Sequence, residues 1–454
     1  MQAATLPLAS APGPRGAPIF GSLFDAWRDP LKLLSESARD HGNVVRFRFG
    51  GFDYVLVSGL TEIQHVLVKN QKNYIKSRSY QGIKLVLGEG LLTSEGEFWR
   101  RQRRLAQPAF HAQRLKGLAE TMARLTSDVM QRWKALPESG RTFDVHDEMM
   151  RLTFRVVGKT LCGADVEGDA QAIGSALTVA VKFANDYVEQ LVRMPVWLPF
   201  PKNLRFRTAM ATLDKLVYRL IDEHRAQTDH EADLLGMLMD ATDEGDGQGM
   251  TPKQLRDEVM TLVLAGFETT ANALTWTLYQ LSKHPDVAQK LAEEASTVLG
   301  GRTPSFDDVA RLEYTERVIQ ESMRLYPPVW CFEREAVEGD EVGGYGIPAG
   351  TTIAVCPFVL HRNPTYWENP ETFDPDRFSP ERSGARSRFA YLPFGDGPRI
   401  CIGKGFAMME AKIILAMIAD SFRIELASEK PVELDAGITL RPRHGLPVKI
   451  SPRT

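Results

Sequence analysis

Between residues 44 and 57 apolar and polar side chains alternate about Gly50-Gly51, the period-two pattern of a β-hairpin. Beyond it helical patterns dominate. Gly88-Glu89-Gly90 closes a loop ahead of a short helix in which Trp99 and Arg103, four residues apart, share a face. Residues 105 to about 242 are helix-rich, with breaks around 195–201, and residues 243–249 read as an acidic, glycine-rich loop. A long helix is predicted next. Thr251-Pro252-Lys253-Gln254 is a capping box with proline at the first helical position, and the apolar pattern runs through Leu281 to stop before His284-Pro285. Residues 287–299 read as a surface helix closed by Gly300-Gly301, and a further apolar helix contains Glu321-Ser322-Met323-Arg324. The pattern then turns toward strands. Residues 325–330 lead into a short strand, 343–350 read as a hairpin and 351–355 as a strand, while 406–418 form an apolar helix and 438–450 a final hairpin.

The chain has 454 residues, and length alone would allow about three average domains. No linker, repeat or low-complexity tract divides it, so one domain over 1–454 is expected, opening with a proline-rich segment at 1–30. A formal charge of -3 argues neither for nucleic acid nor for an anionic membrane surface as a partner, and neither is expected. Cys162, Cys331, Cys356 and Cys401 fall at no zinc spacing and form no disulfide framework, which fits a reducing compartment. The first residues lack the basic and apolar regions of a signal peptide, and no uncharged run approaches the ~20 residues of a membrane span. A cytoplasmic protein without a membrane anchor is expected.

Candidate chemistry gathers at two stretches. Cys401 stands in Phe394-Gly395-Asp396-Gly397-Pro398-Arg399-Ile400-Cys401-Ile402-Gly403, where a loop turns into a helix. A thiolate is an electron-rich metal ligand, and a helix N-terminus lowers its pKa. Gly395, Gly397 and Gly403 remove side chains that would hold a flat macrocycle away from the backbone, and Arg399 offers a forked donor to a carboxylate. Alone, a single cysteine near a turn is ordinarily buried and inert. In the long helix, Ala265-Gly266-Phe267-Glu268-Thr269-Thr270 sets an acid and a hydroxyl in an apolar run, a costly arrangement without a purpose. Alone, a threonine bonded back to an earlier carbonyl and a solvent-facing glutamate would account for it. Trp99 and Arg103, beside Arg100, Arg101 and Arg104, read equally as a solvated basic face. Glu321 and Arg324 read as a surface pair worth about 0.2–0.5 kcal/mol. His146, His224 and His230 have no spaced partners, so surface or capping roles are expected.

Together these strings resemble the cytochromes P450, the haem-thiolate monooxygenases. Phe394, Gly395, Arg399, Cys401 and Gly403 match the haem-binding signature, and Ala265 to Thr270 match the oxygen-binding helix. Trp99 with Arg103 and Glu321 with Arg324 match two further family motifs, all four in the family's order and together covering essentially the whole chain. The resemblance implies a mainly α (α+β) fold, a triangular helical prism with a smaller β-rich part. It implies haem b (iron protoporphyrin IX) with Cys401 as the axial ligand of the iron, and Trp99, Arg103, Arg334 and Arg399 at the propionates. It places Ala265 and Thr269 over the iron, with Gly266 leaving room for dioxygen, and gives Thr269 and Glu268 the delivery of protons, a form of general acid catalysis. Glu321, Arg324 and Arg377 would form a buried structural network.

The implied reaction hydroxylates or epoxidises a hydrophobic small molecule such as a fatty acid, terpenoid, steroid or polyketide, with dioxygen as co-substrate. Phe267, Val329, Trp330, Phe332 and Ile438 are candidate pocket residues, and each reads equally as core. Nothing after Gly403 reads as a flavin or iron–sulfur domain. Electrons are therefore expected from NAD(P)H through a separate ferredoxin or flavodoxin with its reductase, and Arg100, Arg101 and Arg104 are a candidate docking face. By the same resemblance the protein is a monomer of the bacterial type. A peroxygenase or peroxide isomerase that needs no reductase, and a non-catalytic haem-based sensor, are the competing readings.

Overall fold

A computed structural model describes residues 9–138, 141–163, 168, 170–189, 194–226, 234–242 and 247–453. His230 and part of the predicted acidic loop at 243–249 lie outside them. The chain gathers into two compact units. One holds the residues up to Tyr80 with Arg324–Phe373 and Pro380–Cys401; the other holds Gln81–Met323, Asp374–Ser379 and the chain from Ile402 onward.

The first unit is built on a five-stranded sheet in the order Val44–Phe49, Phe52–Val57, Thr352–Val355, Phe332–Ala336, Tyr74–Ile75. The predicted hairpin is there, with Phe49 opposite Phe52 and Gly50 at φ +61° supplying the turn conformation that favours glycine. Phe52–Val57 runs parallel to Thr352–Val355, and the other pairs are antiparallel. Val55, Val57, Ile353 and Val355 pack with Ile63, Val66, Leu67 and Leu392 as this unit's core. The hairpin expected at 343–350 lies three residues earlier: Asp340–Val342 pairs with Tyr345–Ile347 about Gly343-Gly344. Arg324 lies in this unit and donates to the carbonyls of His361 (2.8 Å), Pro370 (2.6 Å) and Thr372 (3.0 Å).

The second unit is mainly helical. The long helix Pro252–Lys283 begins as predicted, with Gln254 N–H donating to Thr251 Oγ1 and Thr251 N–H to Gln254 Oε1. It ends at Lys283, directly before His284-Pro285 as predicted, and Pro285 opens the next helix, Pro285–Leu299, which Gly300 closes at φ +56°. The helix Val145–Cys162 packs along the long helix: Thr153 Oγ1 donates to Phe267 O at 3.0 Å, and the Phe154 and Phe267 rings meet edge-on at 5.3 Å. The apolar run predicted at 406–418 is the core of the helix Lys404–Ser421. Glu321 and Arg377 form the expected buried pair at 3.3 Å, and Glu321 Oε1 also accepts Asp374 N–H at 2.9 Å.

The C-terminal chain differs from the single hairpin predicted over 438–450. Leu440–Pro442 folds back on Leu434–Ala436, while Pro447–Pro452 pairs with Phe422–Leu426 and Thr142–Asp144. The split occurs at Gly445, whose φ of +72° turns the chain, and Asp144 Oδ1 captures the next amide, Leu446 N–H, at 2.8 Å. His224, expected at the surface or in a capping role, is buried in the last turns of the helix Pro201–Ala226. Among the described residues no helix is long and apolar enough to cross a membrane.

Candidate active site

The side chains singled out by sequence divide between the two units. Phe394, Gly395, Arg399, Cys401 and Arg334 belong to the first, and Trp99, Arg103, Ala265, Glu268, Thr269 and Gly403 to the second.

In the first unit, residues 394–401 form a closed turn. Cys401 N–H donates to Phe394 O at 3.0 Å. Gly395 has φ +68° and leaves open space where a Cβ would stand. Asp396 caps the following 3-10 turn, Gly397–Arg399, by accepting Gly397 N–H, and Arg388 Nε lies 3.3 Å from its other oxygen. The turn holds Cys401 with its side chain exposed. The neighbouring cysteines are different. Cys356 is buried and donates to Trp330 O at 3.1 Å, and the Cys331 thiol is pushed well up by its hydrogen bond with Cys356 and by burial. Cysteine is among the most buried residue types, so an exposed one on a braced turn is the side chain available to a ligand.

Arg334 is buried in the strand Phe332–Ala336. Its Nη1–H donates to Glu333 O at 2.7 Å, and the guanidinium lies 5.6 Å from the Phe332 ring centre. Among the described residues no carboxylate lies within ion-pair distance of it. Buried charges are normally paired, so this cation is fitted to an anion. Arg399 is half-buried two residues before Cys401.

In the second unit the long helix is buried on both sides of a short open strip. Leu262 and Thr269 are half-buried and Ala265 is exposed, at i, i+7 and i+3, whereas Asp257–Thr261 and Thr270–Leu278 are buried. An exposed alanine at the middle of a buried helix leaves a small, smooth face. Thr269 Oγ1 donates to Ala265 O at 2.7 Å, the back-bond that sequence alone allowed. Gly266 has a packing role: a Cβ there would stand 3.2 Å from Val157 Cγ2 on the adjacent helix.

Glu268 does not simply face solvent. It is half-buried, and its Oε1 accepts Thr439 Oγ1–H at 2.6 Å. Thr439 in turn accepts from Asn272 Nδ2 at 3.1 Å, and Asn272 Oδ1 lies 3.1 Å from His146 Nε2. This chain of four side chains was missed in the sequence, and nothing local at Thr439 could have signalled it. Ile438 is half-buried beside Thr439 at the tip of the 434–442 hairpin. Glu410 was missed as well. It is fully buried beside Thr270, and burial pushes its carboxyl well above the usual range against the opposing effect of the Thr270 hydroxyl. Its signal was readable: a lone acid in the apolar run that follows Cys401.

Trp99 and Arg103 lie on one helix, Gly96–Ala106, as their spacing predicted; Trp99 is buried and Arg103 half-buried. The adjacent arginines are not one open basic face. Arg100 pairs with Glu97, Arg101 donates to Gln248 O at 2.8 Å and Gly249 O at 3.3 Å, and Arg104 is exposed. Phe267 belongs to the core against Phe154. Gly403 precedes the helix Lys404–Ser421, and its carbonyl accepts Ala407 N–H at 2.9 Å.

Comparison with known proteins gives one consistent pattern. The family model described as Cytochrome P450 matches residues 11–447. Cyclooctatin synthase of Streptomyces melanosporofaciens is 38% identical over 441 residues, covering 97% of this chain and 93% of that protein. Cyclooctat-9-en-7-ol 5-monooxygenase of the same organism is 34% identical, covering 92% and 90%. Pentalenene oxygenase of Streptomyces avermitilis is 32% identical, covering 99% and 98%.

Proposed function

The chain belongs to the cytochrome P450 family, and we propose that it hydroxylates a terpenoid at a haem held by Cys401. Membership makes it an oxidoreductase that incorporates one atom of molecular oxygen, and haem and dioxygen use follow from the family.

The residues present fit the group. An iron that takes a soft ligand needs a thiol in the open, and Cys401 is exposed on its braced turn. A group carrying carboxylates needs cations, and Arg334 is a buried cation with no acid partner among the described residues. Cys401 would supply the thiolate ligand, and Arg334, Arg399, Arg103 and Trp99 would hold the propionates. Bound there, haem supplies the oxygen-activating chemistry, which a thiolate ligand favours.

The chain's own residues then bind, orient and move protons. The smooth strip at Ala265 limits what can stand beside the long helix. Thr269 Oγ1 gives or takes a proton when its hydroxyl leaves Ala265 O. Glu268 is fixed at Oε1 by Thr439 and is half-buried, part of the residue open to solvent. An acid that touches both solvent and a hydroxyl-bearing helix face is suited to passing protons inward.

The substrate class rests on the relatives. Those compared are named for cyclooctatin, cyclooctat-9-en-7-ol and pentalenene, which are terpenoids. Electrons would come from NAD(P)H through a separate ferredoxin or flavodoxin and its reductase.

The observation that carries the reading is the exposed Cys401 on its glycine-opened turn. Its test is the carbon-monoxide difference spectrum of the reduced, haem-loaded protein. A strongly red-shifted Soret band is expected, and a band at the position of histidine-ligated haem would remove Cys401 from the iron. Cyclic terpenoid alkenes and alcohols should then shift the ferric spin state, whereas fatty acids should not.

A further inference from the structure

The segment behind the cysteine turn has an uncommon backbone. The α-helix Leu60–Gln64 widens into a π-helix over His65–Lys69, followed by the 3-10 turn Gln71–Asn73 and the strand Tyr74–Ile75. π-Turns are rare and occur frequently at functional sites. Inside this one, the Leu67 carbonyl faces Gly397 so closely that a Cβ there would lie 2.1 Å from its oxygen. Gly397 has φ +73° and opens the 3-10 turn that ends two residues before Cys401. Backbone meets backbone at this contact, with no compressible side chain between. A shift of the π-turn is therefore passed directly to the turn that carries the sulfur.

One carboxylate holds the π-turn at both ends. Asp340 Oδ2 accepts Tyr74 O–H at 2.6 Å and Asn70 Nδ2–H at 3.0 Å, and His65 Nε2 lies 2.8 Å away. Asp340 Oδ1 accepts Glu341 N–H at 2.8 Å. His65 is the first residue of the π-turn, Asn70 follows its last, and Tyr74 starts the strand that pairs with Glu335–Ala336. Burial would raise the Asp340 carboxyl, but the bonds from Tyr74, His65 and Asn70 outweigh it and hold the group below its ordinary value. Asp340 thus stays an anion that gathers these three side chains at a single oxygen.

We propose that Asp340 is a positioning residue for the thiolate: it fixes the π-turn, the π-turn fixes Gly397, and Gly397 sets the direction of Cys401 toward the iron. The inference rests on the reading of Cys401 as the iron ligand. Groups behind metal ligands commonly change affinity or activity by about 10–100-fold when removed.

The test uses the full chain loaded with haem, as wild type, Asp340→Ala, Asp340→Asn and Tyr74→Phe. Three quantities are read: the reduced carbon-monoxide band, the rate of haem transfer to an excess of a haem acceptor protein, and the urea midpoint. Asp340→Ala is expected to lose part of the red-shifted band to a shorter-wavelength form and to release haem about tenfold faster. Asp340→Asn, which keeps an acceptor oxygen, should recover part of both, and Tyr74→Phe should show a smaller change in the same direction. A lower urea midpoint with the band and the haem-release rate unchanged would leave Asp340 a structural residue and overturn the proposal. If Asp340→Ala fails to fold, Tyr74→Phe and Asp340→Asn decide by the same two readouts. Wild-type protein lacking the red-shifted band would instead overturn Cys401 as the ligand, an outcome distinct from failure in the variants alone.

Discussion

Thr439 Oγ1 donates to Glu268 Oε1 at 2.6 Å, joining the tip of the 434–442 hairpin to the middle of the long helix. The same hydroxyl accepts from Asn272, so it can give its proton only to Glu268. A hydrogen bond to a charged group contributes about 1.5–3 kcal/mol. If Glu268 passes protons, Thr439→Val should leave the haem spectrum intact and slow product formation about tenfold, since about 1.4 kcal/mol is one decade in rate. Steady-state turnover with a fixed set of redox proteins measures this. Wild-type turnover in Thr439→Val would confine the contact to anchoring the hairpin.

Thr269 donates to Ala265 O in the resting helix. A hydroxyl held this way contributes little to helix stability, so its value lies in what it does when released. Thr269→Ala is expected to keep the fold and the rate of oxygen consumption while diverting most reducing equivalents to hydrogen peroxide. The ratio of peroxide to product, compared with wild type, reads the effect. An unchanged ratio would take Thr269 out of proton delivery.

Glu321 and Arg377 meet at 3.3 Å with almost no exposure on either side chain. Breaking a buried pair from one side typically costs about 3–5 kcal/mol, because the remaining charge stays buried. Arg377→Met should therefore lower the unfolding free energy by that amount, measured by urea denaturation of the haem-loaded protein. A loss below about 1 kcal/mol would mean that Asp374 N–H and its surroundings satisfy Glu321 without the arginine.

What the sequence revealed is what neighbours along the chain encode. The Thr251–Gln254 capping box and the Gly50 hairpin depend on residues a few positions apart and form as expected, and the Thr269–Ala265 back-bond is the local arrangement that the sequence allowed. The Glu268–Thr439 contact spans 171 positions, and no local pattern marks Thr439. The C-terminal pairing was misread for a similar reason, since Pro447–Pro452 takes partners from Thr142–Asp144 and Phe422–Leu426 rather than from its own hairpin. The π-turn at His65–Lys69 has the composition of an ordinary helix, so no local pattern marks it. Glu410 was visible as an acid in an apolar run, but only packing shows that the carboxyl is fully buried against Thr270.

Glu258 offers a stability test that is independent of the chemistry. It is fully buried in the long helix, its Oε2 accepts Leu91 N–H at 3.1 Å, and its Oε1 has no partner among the described residues. Burial pushes its carboxyl up to about 8; the Leu91 bond opposes the shift and the Asp257 charge adds to it. An unfolded chain carries an ordinary glutamate near pKa ~4.3. Below that value both states hold the proton and the group contributes nothing to the pH dependence. From there to about 8 the native state keeps a proton that the unfolded chain has lost, so stability falls as pH rises, by up to about 1.4 kcal/mol per unit. Above about 8 both states are ionised and the penalty is complete. Glu258→Gln keeps the shape and an acceptor for Leu91 N–H but binds no proton. Urea unfolding of the two proteins at pH 5, 6, 7 and 8 should show the variant gaining on wild type at every step. Parallel pH profiles would mean that Glu258 is ionised in the native state and that water or a rearranged neighbour reaches Oε1.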